Sequence, residues 1–88
     1  MTRSHVRIHG RVQGVFFRAE AQARAESLGV AGWIRNAPDG SVEAVFEGDD
    51  ERVRSMVDWC RRGPSGSRVE DVEVKYEEPT GEIGFDVH

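Results

Sequence analysis

The 88-residue sequence predicts a single α+β domain, residues 1–88, in which two helices cover one face of a mainly antiparallel sheet. Five segments alternate apolar and polar residues with the two-residue period of strands, and two segments carry apolar residues at helical spacing. Their order along the chain is strand, helix, strand, strand, helix, strand, followed by a short last strand.

The first strand is predicted from the alternation of Val6 and Ile8 with polar neighbours, and it ends near Val12. The helix that follows closes at Gly29, since a glycine just past the last periodic residue suits a left-handed C-terminal cap. A second strand over residues 30–36 leads through a turn that contains proline and glycine into the third strand. The inward-facing residues of the first helix are predicted to be Phe17, Ala21, Ala25 and Leu28.

The third strand is predicted to stop at Gly48, and the second helix runs from the acidic residues after it to about Arg62. Its inward face is predicted to be Val53, Met56, Val57 and Cys60. The two last strands are predicted from the alternation of Val72, Val74 and Tyr76, and of Ile83, Phe85 and Val87. The resulting order, βαββαβ plus a short C-terminal strand, indicates a ferredoxin-like sandwich with right-handed crossovers.

The charge distribution argues against a nucleic-acid partner and locates a candidate anion site. The net charge is -4, whereas nucleic-acid binding depends mainly on many Lys and Arg contacts to phosphates. Residues 1–44 carry six arginines against four acidic residues, and residues 45–88 carry six basic residues against twelve acidic ones. An anion site is therefore expected in the first half.

Compartment is inferred from cysteine use and from the N-terminal segment. Cys60 is the single cysteine, so an intramolecular disulfide is impossible and a reducing compartment is expected. Residues 1–5 lead directly into a strand pattern without an apolar signal-peptide core, and no run approaches the ~18 apolar residues of a membrane helix. A cytoplasmic location with no membrane partner is expected.

The loop of residues 10–18 joins a strand to a helix and contains two glycines. Such a loop lets main-chain amides converge at a helix N-terminus, where they bind anions, and Arg18 adds a planar fork that matches two phosphate oxygens. On spacing alone an ordinary connecting loop with a solvated arginine is the favoured interpretation, because glycine-rich turns before helices are common and this loop lacks the Gly-Lys-Ser/Thr of a nucleotide-binding loop.

Asn36 ends the second strand, and its carboxamide offers both a donor and an acceptor to a water molecule. The competing interpretation is an asparagine that initiates the turn, which is common before a proline-containing turn. Sequence spacing does not decide whether Asn36 and the 10–18 loop meet in the fold.

Two motifs carry a resemblance to a known family. Residues 8–18, Ile-His-Gly-Arg-Val-Gln-Gly-Val-Phe-Phe-Arg, resemble the first signature of the acylphosphatases at every fixed position. Residues 32–36, Gly-Trp-Ile-Arg-Asn, followed by Gly40, Val42 and Gly48, resemble the second signature. Ile34 stands where a smaller apolar residue is usual. The resemblance covers nearly the whole chain.

The resemblance implies hydrolysis of the carboxyl-phosphate bond of acyl phosphates, without metal, cofactor or covalent intermediate. It assigns phosphate binding to Arg18, water orientation to Asn36, and a main-chain phosphate cradle to Gln13, Gly14, Val15, Phe16, Phe17 and Arg18. The corresponding hypothesis is a monomer whose partner is a small-molecule acyl phosphate, although the sequence does not fix the oligomeric state. Ile34 and Ala37 are the neighbours that could disturb Asn36. Ile34 is expected to point away from it if the two-residue alternation fails at the turn.

Several alternatives remain beside the enzymatic reading. The main one is a non-catalytic module that binds phosphate or carbamoyl phosphate, against which a free-standing chain of this length argues. RNA binding would need exposed aromatics on strands one and three, where the sequence has aliphatic residues.

Three rival sites are weaker still. A cysteine phosphatase needs an arginine six residues after its nucleophile, but Gly66 follows Cys60 at that distance. His5 and His9 share a strand face but lack a third metal ligand, so exposed strand residues are expected. Residues 63–67 lack the closing glycine of a nucleophile elbow and read as a linker.

Overall fold

The computed structural model describes residues 1–14 and 16–88 and has the predicted order of elements. The elements are β1 (Thr2–Arg11), α1 (Phe17–Leu28), β2 (Ala31–Asn36), β3 (Val42–Gly48), α2 (Asp50–Arg62), β4 (Arg68–Glu77) and β5 (Phe85–Val87). The βαββαβ order with a short C-terminal strand is therefore confirmed. For most elements the predicted and observed ends differ by no more than four residues.

The strands form one sheet in the order β4-β1-β3-β2-β5. β1 lies antiparallel to both β3 and β4, and β2 lies antiparallel to β3. β5 is parallel to β2, with Phe85 opposite Gly32 and Val87 opposite Ile34. The sheet is thus mainly antiparallel, as predicted, and the parallel pair brings the end of the chain beside the end of β2.

The core lies between the two helices and one face of the sheet. Val6 and Ile8 of β1, together with Ala44 and Phe46 of β3, occupy alternate strand positions and are fully buried. The alternation places these side chains on the helix side. The buried residues of α2 are Val53, Met56, Val57, Trp59 and Cys60, which includes the predicted stripe. Burial raises the pKa of the Cys60 thiol, which makes it an unreactive core residue.

The predicted cap of α1 is present. Gly29 has φ 71, its amide donates to the Glu26 carbonyl at 3.2 Å, and the amide of Val30 donates to the Ala25 carbonyl at 2.8 Å. Val30 is buried against this last turn. At the other helix, the Asp49 carboxylate accepts from the amide of Arg52 at 3.4 Å. Among the described residues, neither helix has the length and hydropathy needed to cross a membrane.

Three apolar residues of the predicted strand alternation are exposed, namely Tyr76, Ile83 and, at 38%, Val87. Tyr76 has 74% of its surface exposed because β4 is an edge strand, with β1 as its neighbour in the sheet. Ile83 is 92% exposed and precedes β5. Gly84 has φ 71, which interrupts the extended backbone between Ile83 and Phe85 and delays the last strand.

Candidate active site

A cavity of about 340 Å³ opens where the β1–α1 loop, the start of α1 and the ends of β2 and β5 meet. Its described lining residues are Val12, Gly14, Phe16, Phe17, Arg18, Ala19, Gln22, Asn36 and Val87. Arg18 and Asn36, which lie 18 positions apart in the sequence, therefore border one cavity. A larger depression of about 660 Å³ between the two helices contains neither residue.

Arg18 is the second residue of α1 and is partly buried. Its Nη1 donates to the main-chain oxygen of His88 at 2.6 Å. His88 is held in turn by its own amide, which donates to the Ile34 carbonyl at 2.9 Å. A guanidinium carries five N–H donors, so this bond restrains the side chain and leaves other donors for a ligand.

The N-terminus of α1 supplies further donors. The first hydrogen bond of the helix joins the Glu20 amide to the Phe16 carbonyl at 3.0 Å. The amides of Phe17, Arg18 and Ala19 precede that bond, and the N-cap residue Phe16 makes no side-chain capping bond within the described chain. Such amides project from a helix N-terminus and carry partial positive charge, which attracts an anion.

The loop before α1 has an unusual backbone. Gly14 has φ 72, and Phe16 has φ 61, which is uncommon for a residue with a bulky side chain. A Cβ at Gly14 would meet nothing within 4 Å, so the conformation and not a lack of space favours glycine there. Val15, another predicted cradle residue, lies outside the described residues.

The side chain of Gln13 ties this loop to the β2–β3 turn. Its Nε2 donates to the Ala37 and Ser41 carbonyls, both at 2.9 Å. The turn is closed by the Ala37 amide, which donates to Ser41 at 2.8 Å. Sequence reasoning placed Gln13 in the cradle through its main chain and missed this contact, which joins the loop to the turn beside Asn36. The side chain of Phe17 is directed to the core, where its ring lies 5.1 Å from that of Trp59.

Asn36 is the last residue of β2, pairs with Val42 of β3 and is partly buried. Because strand pairing continues through Asn36, the two-residue alternation holds to the end of β2. Ile34 and Asn36 therefore share the helix-side face, and the expectation that Ile34 points away from Asn36 is wrong. Ile34 is fully buried in the core.

Gln22 and Val87 border the cavity without having been predicted as site residues. Gln22 lies one helical turn after Arg18, so the i, i+4 spacing could have indicated it. Its Nε2 donates to the Phe85 carbonyl at 3.3 Å. Val87 reaches the cavity through the parallel pairing of β5 with β2, which no local sequence signal indicates.

The two histidines of β1 lie on the opposite face and are held by carboxylates. His5 contacts Glu43 at 2.6 Å and Glu77 at 2.9 Å, and His9 contacts Glu73 at 2.5 Å. Both are only partly exposed because these partners cover them. In the described chain, no three His, Cys, Asp or Glu residues are grouped as metal ligands would be.

Glu43 and Glu47 are buried carboxylates on that same face. Burial raises the pKa of each, but the hydrogen bonds outweigh it and leave both pKa values lowered. For Glu43 the bonds come from His5 and Arg35. For Glu47 they come chiefly from the amides of Gly81 and Glu82 and from Arg3. The bonds from the Gly81 and Glu82 amides to Glu47 anchor the segment before β5, and neither glutamate lines the cavity.

Comparison with known proteins agrees with this geometry. The acylphosphatase family model matches residues 4–87. An acylphosphatase from Roseiflexus sp. (strain RS-1) is 60% identical over 88 residues, which cover 99% of this chain and 95% of the relative. One from Thermococcus kodakarensis is 58% identical over 85 residues, 97% of this chain and 93% of the relative.

The crystal structure of acylphosphatase from Bacillus subtilis superposes on this structure with a TM-score of 0.95 and a sequence identity of 34%. The superposition covers 100% of this chain and 99% of the Bacillus subtilis chain. The likeness extends over both predicted motifs and over the elements that form the cavity. The chain belongs to the acylphosphatase family.

Proposed function

We propose that Arg18 and the main-chain amides of residues 13–18 bind the phosphoryl group of the substrate, while the carboxamide of Asn36 orients the water molecule that attacks phosphorus. The observation that carries this proposal is that Arg18, Asn36 and the N-terminus of α1 border one cavity. The match of the acylphosphatase family over residues 4–87, which include both residues, supports the same assignment.

The reaction of this enzyme is the hydrolysis of acyl phosphates, the activity of the family to which it belongs. Water forms a new oxygen–phosphorus bond, the bond from phosphorus to the carboxyl oxygen breaks, and the carboxylate leaves with both bonding electrons. The proton lost by water passes to phosphate or solvent. Because a carboxylate is a good leaving group, positioning and charge stabilisation supply most of the catalysis.

Arg18 has the chemistry that the phosphoryl group requires. Its planar guanidinium presents paired donors to two phosphate oxygens, and its bond to His88 restrains it before the substrate arrives. The amides at the start of α1 add donors that need no rearrangement during the reaction. The charge that grows on the phosphoryl oxygens is therefore met by groups already in place.

Asn36 has the chemistry that the water requires. Its carboxamide oxygen accepts a hydrogen bond from water and its amide nitrogen donates one, so Asn36 orients the nucleophile without removing a proton from it. The position of the side chain is set by the pairing of Asn36 with Val42 and by the Gln13 contact to the adjacent turn. We propose that these two restraints hold water in line with the leaving group.

We propose that the reaction proceeds without a metal ion, since a loosely bonded phosphoryl group and a good leaving group need no Lewis acid beyond the cationic cradle. A monomer of one domain in the cytoplasm fits the size of the chain and its single, buried cysteine. Sedimentation at several protein concentrations tests the monomer.

The experiment that tests the function combines turnover with binding. Benzoyl phosphate hydrolysis is measured with and without a chelator, and inorganic phosphate is titrated by calorimetry. We expect the same turnover in both conditions, and in Arg18→Ala we expect phosphate binding weakened by about 10- to 100-fold, the scale of a charge-assisted pair. Phosphate binding with no turnover would instead identify a non-catalytic binding module.

A further inference from the structure

Phe16 is a large apolar side chain that the fold leaves in solvent. Its surface is 79% exposed, while Phe17, Phe46 and Phe85 are buried. Its backbone has φ 61 and ψ 21, in the left-handed region that bulky residues rarely occupy. An exposed aromatic ring and an unfavourable backbone conformation therefore coincide at the residue that precedes the first turn of α1. Neither feature contributes to the core.

The ring lies beside the reaction site. Phe16 borders the same cavity as Arg18 and Asn36, and Val87, which is 38% exposed, adds a second apolar side chain to that border. Among the described residues that line the cavity, Arg18 is the only charged one. A substrate held by its phosphoryl group at Arg18 thus meets apolar surface around the cation.

The geometry of in-line attack divides the cavity. The leaving group departs on the side of phosphorus opposite to the incoming water, so the acyl group lies away from Asn36. Asn36 belongs to the sheet side of the cavity, whereas Phe16 belongs to the loop side. A ring at this position is available to contact the acyl group.

We propose that Phe16 is a specificity-determining residue: its exposed ring packs against the acyl group and favours acyl phosphates with an aromatic or extended apolar acyl group. This inference rests on the proposed binding of the phosphoryl group at Arg18. A negatively charged acyl group gains nothing from the ring and finds no second cation among the described lining residues. A small acyl group such as acetyl is too short to cover it.

The test compares kcat/KM for benzoyl phosphate and acetyl phosphate. Phe16→Asn and Phe16→Gly remove the ring, and both residues accept a left-handed backbone, so the loop conformation is retained. We expect the ratio of kcat/KM for benzoyl over acetyl phosphate to fall about 2- to 10-fold in both variants, the size of one aromatic contact. The ratio, and not the rate on either substrate alone, is the readout, because the main-chain amide of Phe16 belongs to the proposed phosphate cradle.

Two controls separate the ring from other effects. Phe16→Tyr keeps an aromatic ring and should keep the wild-type ratio. Tyr76→Thr removes the comparably exposed aromatic of β4, which borders a different cavity, and should also leave the ratio unchanged.

An unchanged ratio in Phe16→Asn and Phe16→Gly, or an equal loss on both substrates, would overturn the role of Phe16. Failure of the proposed phosphoryl site would be seen differently, as full activity of Arg18→Ala and Asn36→Ala on both substrates.

Discussion

The contact of Gln13 with the β2–β3 turn makes a quantitative prediction for Gln13→Ala. The substitution removes two hydrogen bonds of 2.9 Å, to the carbonyls of Ala37 and Ser41. Each carbonyl keeps another partner, since Ala37 also accepts from the Gly40 amide and Ser41 from the Ala37 amide. At about 0.5 to 1 kcal/mol for each bond, the free energy of unfolding should fall by about 1 to 2 kcal/mol.

Loss of these two hydrogen bonds should also lower catalytic activity, because they join the phosphate loop to the turn beside Asn36. If the full free energy of these hydrogen bonds, about 1 to 2 kcal/mol, is needed to hold the loop and the turn in position at the transition state, kcat/KM for benzoyl phosphate falls by about 5- to 30-fold. Urea unfolding and steady-state kinetics measure the two effects.

A matched control for Gln13 is Gln22→Ala, which removes one longer hydrogen bond of 3.3 Å, to Phe85. It should lower the free energy of unfolding by about 0.5 kcal/mol or less. The reasoning is refuted if Gln13→Ala stays within about 0.5 kcal/mol of wild type and has unchanged kinetics, as a neutral surface substitution would.

Two further predictions concern stability. Gly32→Ala should lower the free energy of unfolding by about 3 kcal/mol or more, because Gly32 has φ 138 and a Cβ there would lie 1.8 Å from the Val45 carbonyl oxygen. Gly40→Ala, at φ 93 with open space, should cost about 1 to 2 kcal/mol in the same urea titration, and equal costs would contradict the steric argument. The free energy of unfolding should fall as the pH drops below about 4.3, the pKa of glutamate in an unfolded chain. The folded state lowers the pKa values of Glu43 and Glu47, so each carboxylate stabilises the fold only while it is ionised. The difference in free energy of unfolding between wild type and Glu47→Gln should be smaller at about pH 3.5 than at about pH 7, because acid removes the contribution of Glu47 from the wild type only. A difference that grows on acidification would contradict the lowered pKa of Glu47.

The sequence was sufficient for the elements because each has a local signal. Apolar residues at helical spacing predicted α1 and α2, and Gly29 predicted the end of α1, where it adopts φ 71. Tyr76 and Ile83 were less predictable, because their exposure depends on the edge position of β4 and on the left-handed turn at Gly84. The alternation of apolar and polar residues identifies a strand but does not indicate whether another element covers its apolar side chains.

The candidate site was predictable from the two motifs, whereas its contacts were not. The motifs indicated Arg18 and Asn36, and the sheet order places both at one cavity. The Gln13 contact, the bond from Arg18 to His88 and the position of Val87 join segments distant in sequence. No spacing rule predicts such contacts. The expectation for Ile34 failed because pairing with β3 keeps the alternation intact through Asn36.

The central claim is that Asn36 acts on the nucleophile while Arg18 holds the phosphoryl group, and it is tested most directly by measuring kcat and phosphate inhibition together in Asn36→Ala. We predict that kcat for benzoyl phosphate falls roughly 100- to 1000-fold, as on removal of a key polar stabiliser, while the inhibition constant of phosphate stays unchanged. Wild-type kcat in this variant, or a loss of phosphate binding equal to the loss of turnover, would contradict the account.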